Sequence, residues 1–132
     1  MNSRNKGANG ERELARKLSE YGYQCRRGVQ YQGGPMSPDV VGLPGIHIEC
    51  KRVEHLNIYD AIAQSVRDSW LDLPAVFHRK NNCDWLVTMR LDDWMDLYRE
   101  WEVGNDIKGS REKTEESVLS QERDQSEGNE IG

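Results

Sequence analysis

The sequence predicts an α/β fold in which a central mixed β-sheet is flanked by helices. Three observations carry this. Between residues 9 and 103, apolar residues recur with helical period in three stretches and as alternating or short apolar runs in the rest. The resulting order is helix, strand, strand, strand, helix, strand, strand, helix, which suits a sheet packed by helices. The joints fall at Gly, Pro and Asn. At 132 residues, one domain is the expectation.

Residues 1–8 are polar and basic and read as an arm. A helix follows, starting between Asn5 and Gly10 and ending at Gly22, a suitable residue past a helix end. Leu14, Ala15 and Leu18 share a face with Glu11 in its middle, while Arg12, Glu13, Arg16, Lys17 and Glu20 cover the remaining surface. A carboxylate on an apolar stripe is costly unless paired or metal-bound. A first-turn Glu favoured by the helix dipole is the other reading. Glu11 is therefore a site candidate, with Glu13 as its control.

Tyr23 to Arg27 reads as the first strand, with Tyr23, Cys25 and Arg27 on one face and Gln24 and Arg26 on the other. One arginine of this pair faces the site and could hold a phosphate bidentately, and Arg26 is the weak preference. Residues 28–37 form a glycine-rich loop, where Gly33 and Gly34 suit either close approach to a DNA strand or a plain turn.

The stretch from Asp39 to Lys51 carries the chemistry. Asp39-Val40-Val41 is a short strand, Gly42-Leu43-Pro44-Gly45 a turn, and Ile46 to Lys51 a second strand. Ile46, Ile48 and Cys50 face a core, while His47, Glu49 and Lys51 face the other way. Such a hairpin can bring Asp39 near Glu49, with Lys51 one step along. Two close carboxylates repel, and a hard divalent cation such as Mg²⁺ relieves that repulsion through oxygen ligands. A nearby lysine can orient a water or neutralise a phosphate. The trio suits metal-assisted hydrolysis of a phosphodiester.

Asn57 caps the second helix, whose expected buried face is Ile58, Ile62, Val66 and Trp70, with Gln64 turned away. Leu73-Pro74 closes this unit. Ala75 to Lys80 and Asp84 to Met89 read as a hairpin of strands, placing Arg79 and Lys80 either on a DNA-facing rim or at a solvated tip. Asp92 or Asp93 caps a last helix over about 92–102, with Leu91, Trp94, Met95, Leu97, Tyr98 and Trp101 as a wide apolar face for core or dimer contact. Four tryptophans between positions 70 and 101 suggest that the second half supplies much of the core. His47, His55 and His78 show no metal-ligand spacing.

Formal charge is -5, yet residues 1–34 hold seven Lys/Arg against three Glu, and residues 105–132 hold four basic against eight acidic residues. A local basic face is sufficient for phosphate contact. Cys25, Cys50 and Cys83 form no C-x-x-C pair and read as buried thiols of a reducing compartment. No apolar run approaches membrane-span length. The expectation is a cytoplasmic protein that does not bind membranes, with 1–104 as the catalytic domain and 105–132 as an acidic, disordered tail.

Glu11 within Gly7-Ala8-Asn9-Gly10-Glu11-Arg12-Glu13-Leu14, then Arg26-Arg27, Pro38-Asp39 and Glu49-Cys50-Lys51, resemble the PD-(D/E)xK nuclease superfamily, in particular the archaeal-type Holliday junction resolvases. Gln64, Pro74 to Arg79 and Asp84 to Val87 are similar to phage endonucleases of that superfamily. The resemblance implies a restriction-endonuclease-like core. It implies Glu11, Asp39, Glu49, Lys51 and Gln64 as catalytic residues. Metal would be held by Asp39, Glu49, the backbone carbonyl of Cys50, and Glu11. The cofactor would be Mg²⁺, with Mn²⁺ as substitute. Candidate DNA contacts are Arg12, Arg26, Arg27, Arg79 and Lys80. The implied activity is a structure-selective endonuclease cutting branched or four-way DNA as a homodimer, in a phage-infected host if of phage origin. A general duplex endonuclease and a non-catalytic DNA-binding scaffold are the alternatives.

Overall fold

A computed structural model describes residues 3–28, 37–106 and 108–109. The elements are α1 (Ser3–Ser19), β1 (Arg26–Arg27), β2 (Val40–Val41), β3 (Ile46–Arg52), α2 (Ile58–Asp68), β4 (Leu73–Arg79) and β5 (Leu86–Thr88). Residues 91–106 are helical as well. The strands form one sheet in the order β1-β2-β3-β4-β5. β3 and β4 run parallel, and every other pair is antiparallel. The expected mixed sheet with flanking helices is present. The chain divides into two units, Met1–Asp93 and Trp94–Gly132.

α1 packs its Leu14 and Ala15 onto Val40, Ile48, Ala75 and Phe77, with Ile46 and Cys50 partly buried against this cluster. Ile46, Ile48 and Cys50 of β3, and Ala75 and Phe77 of β4, are alternate residues, as period two requires. Each fully buried Leu, Ile or Val contributes about 1.5–3 kcal/mol. Gly10 lets α1 approach β3, since a Cβ there would lie 2.5 Å from the Cβ of Arg52. The opposite face of β3, with His47, Glu49 and Lys51, is the one that α2 meets.

Several details differ from the sequence reading. α1 begins at Ser3, so residues 3–8 continue the helix rather than forming an arm, and it ends at Ser19, before a turn in which Gly22 takes φ +96°. β1 holds only Arg26 and Arg27. β4 starts at Leu73, so Pro74 lies inside a strand. It is tolerated because β5 pairs only with Val76 to His78, leaving Pro74 at the one-sided end of the ladder. α2 turns Ala61 and Ser65 inward, while Ile58, Ile62 and Val66 are half-buried. Asn57 does cap it, accepting from the Asp60 N–H at 3.2 Å. Trp70 is not on that face at all: it sits past the helix end at φ +46° and is 79% exposed.

The last helix starts at 91, so neither Asp92 nor Asp93 caps it; Asp93 lies in its first turn and accepts from Arg90 Nε at 2.8 Å. In the second unit, Trp94 stacks on Tyr98 at 5.3 Å and Tyr98 meets Trp101 tilted at 5.5 Å, yet Trp94 and Trp101 stay exposed. In the first unit, Trp85 packs against the core cluster and Trp70 is exposed. Residues 105–106 and 108–109 are helical, whereas most of the expected tail and the loop at 29–36 fall outside the described residues. Among the described residues no helix is long and apolar enough to cross a membrane.

Candidate active site

Asp39 is clamped to β3 by both its backbone and its side chain. Its N–H donates to the Ile48 carbonyl at 2.9 Å, and its Oδ2 accepts from the Cys50 N–H at 2.8 Å. From the other side the Gly28 N–H donates to the Asp39 carbonyl at 2.9 Å. Only glycine fits there, because a Cβ on Gly28 would meet the Pro38 carbonyl oxygen at 2.0 Å. The Asp39 carboxylate is thereby set beside Glu49, which is 2% exposed.

Burial, then the charge of Glu49, push the Asp39 carboxyl up to about 7, against the opposing pull of the Cys50 N–H; Glu11 adds to the rise. Two adjacent carboxylates that hold a proton this strongly fit a hard divalent cation, which would replace the proton and remove the repulsion. Burial and Asp39 also raise the Cys50 thiol, so it stays neutral. What Cys50 can offer a cation is its backbone carbonyl.

Of the other expected residues, Glu11 stands with this pair, and Lys51 and Gln64 meet on the Glu49 face of β3. Lys51 Nζ donates to Gln64 Oε1 at 3.1 Å, so Gln64 points toward β3 instead of solvent. Arg27 Nε pairs with Glu11 Oε2 at 2.8 Å, which puts Arg27, not Arg26, at Glu11. Arg26, Arg12 and Lys80 are exposed, and Arg12 also donates to Asn9 Oδ1 at 3.1 Å. Arg79 is not an open rim residue. It pairs with Glu13 and donates to the Cys83 carbonyl. Glu13 also receives Arg52 Nε at 3.1 Å, and Arg52 reaches Asn81 Oδ1 at 3.0 Å. The two glutamates of α1 thus have separate tasks: Glu11 belongs to the carboxylate cluster, and Glu13 joins α1 to the ends of β3 and β4.

Two residues beside the site escaped the sequence reading. His47 is 2% exposed and its Nε2 lies 3.0 Å from Glu49 Oε1. Asp68, from the end of α2, approaches the same pair, with one donor atom from each within 4.8 Å of the others. The available signal was the strand alternation that puts His47 on the face of Glu49; Asp68 had none, because it depends on how α2 lies over β3.

The mixed sheet, with Asp39 and Glu49 together and Lys51 a step beyond, has the layout of a PD-(D/E)xK nuclease. The sequence model of the archaeal Holliday junction resolvase (hjc) family matches residues 2–103, so the chain belongs to that family of junction-resolving nucleases. A solved structure of a Holliday junction resolvase, Hjc of the archaeal hyperthermophile Archaeoglobus fulgidus, aligns at 24% identity and a TM-score of 0.48, covering 64% of this chain and 72% of that one. Among curated protein sequences none matches.

Proposed function

We propose that this protein is a divalent-metal-dependent endonuclease that cuts four-way DNA junctions. The observation that carries the reading is Asp39 clamped against buried Glu49, with Lys51 held by Gln64 on the same face. Asp39, Glu49 and the Cys50 carbonyl would hold Mg²⁺, or Mn²⁺ in its place, and Glu11 would support it. When bound, the cation lowers the pKa of water and stabilises charge on the phosphoryl oxygens.

The side chains would do the rest. The Lys51 ammonium compensates charge on the scissile phosphate and orients the attacking water. Gln64 keeps Lys51 aimed. Arg27, restrained by Glu11, offers a planar fork to a neighbouring phosphate. Arg12, Arg26 and Lys80 extend contact along the backbone, each adding to a salt-dependent affinity. The acting species would be a homodimer, which supplies two sites for opposing strands. Exposed Trp94 and Trp101 support such a contact. Residues 1–104 would be the nuclease domain and 105–132 an appended tail.

A junction with each strand labelled in turn tests this. Two nicks, placed symmetrically on opposing strands, are expected with Mg²⁺. Cutting of linear duplex arms as fast as the junction would move the activity to a general endonuclease.

A further inference from the structure

We propose that His47, Glu49 and Asp68 form a second cation site, for a transition metal that accepts imidazole, sharing Glu49 with the Asp39 site. The donors come from two elements, β3 and α2, and one ligand atom from each lies within 4.8 Å of the others. His47 Nε2 and Glu49 Oε1 are 3.0 Å apart. Ligand atoms about 2.1 Å from one cation stand about 3–3.5 Å from one another, so His47 and Glu49 already have ligand spacing and Asp68 moves in to close around an ion. His47 and Glu49 are each 2% exposed, so their geometry is held by packing.

Ser65 is fully buried on α2, one turn before Asp68, and its Oγ has no hydrogen-bond partner among the described residues. A bound water is the ordinary partner of such a hydroxyl.

The donor set decides the metal. The Asp39 site offers oxygen alone and suits Mg²⁺. One imidazole with two carboxylates favours Mn²⁺, Co²⁺ or Zn²⁺. The two sites take different ions, and Glu49 joins them. The inference needs no nuclease activity, and its test uses no DNA.

The test is a Co²⁺ titration of the full chain in excess Mg²⁺, followed by visible absorption. Mg²⁺ occupies the oxygen site, and Co²⁺ reports the nitrogen-containing one. Wild type should bind Co²⁺ with a ligand-field band. Asp68→Asn should weaken that binding at least about tenfold, His47→Gln should remove the band, and Asp39→Asn should keep it. Equal Co²⁺ affinity in wild type and Asp68→Asn, or loss of the band in Asp39→Asn alone, overturns the site. A measurement on the unaltered chain stands beside these variants. Zn²⁺ should move the ring resonances of His47 by NMR, ahead of those of His55 and His78. No movement of His47 overturns the proposal.

Discussion

Lys51 reaches from β3 to α2, where its Nζ donates to Gln64 Oε1 over 3.1 Å. A lysine has four rotatable bonds, and one fixed acceptor restrains its head on the face of β3 that carries Glu49. Gln64→Leu frees it. The expected result is a fall of about tenfold in kcat for junction cleavage, part of the usual value of a positioned acid or base. KM and the urea midpoint should change little. An unaltered kcat would mean that Lys51 needs no such support.

Glu11 and Glu13 separate activity from stability. Glu13 is bonded to Arg52 and Arg79, and all three are half-buried. Glu13→Ala leaves two guanidinium groups short of a partner. With discount for solvent exposure, the expected loss is about 1–2 kcal/mol of unfolding free energy. Glu11→Ala should cost less stability but lower cleavage about a hundredfold or more, since its carboxylate stands with Asp39. Urea unfolding and single-turnover cleavage of the same two variants decide it.

Gly28 is a stability and site residue together. A methyl group there meets the Pro38 carbonyl oxygen, and backbone must move. Gly28→Ala should destabilise the fold by about 1–3 kcal/mol, the usual cost of overpacking. It should also weaken Mg²⁺ binding, because the displaced backbone carries Asp39. Calorimetric Mg²⁺ titration of the folded variant reads the second effect. Native affinity would show that Asp39 does not depend on this contact.

Asp39 makes stability fall with pH when no cation is bound. An unfolded aspartate titrates near 3.8, and folded Asp39 near 7. Between these values the folded chain holds a proton that the unfolded chain has lost. Stability is therefore lost as pH rises through that window. In EDTA the Tm should be higher at pH 5 than at pH 8, and Asp39→Asn should flatten the difference. Mg²⁺ at pH 8 should raise the wild-type Tm by mass action.

The hairpin around Asp39 and Glu49 was legible from residues alone. Gly and Pro marked its turn, and alternation from Ile46 to Lys51 sorted core from site. α2 was less so. Ile58, Ile62 and Val66 had the right period, but the small residues Ala61 and Ser65 permit the closer approach to the sheet and took the inner face. Alternation over Tyr23 to Arg27 could not choose between Arg26 and Arg27; in the structure Arg27 is the one that pairs with Glu11. Trp70, Trp94 and Trp101 looked like core by volume, but all three are exposed among the described residues. Asp68 could not be read at all, since its nearness to His47 arises from the packing of α2.

The most direct measurement is cleavage of a labelled four-way junction in Mg²⁺, beside its linear duplex arms, by wild type and Glu49→Ala. Paired nicks on the junction from wild type, none on the linear arms, and none from the variant are expected. An intact junction with wild type, or cutting by Glu49→Ala at the wild-type rate, would contradict this expectation.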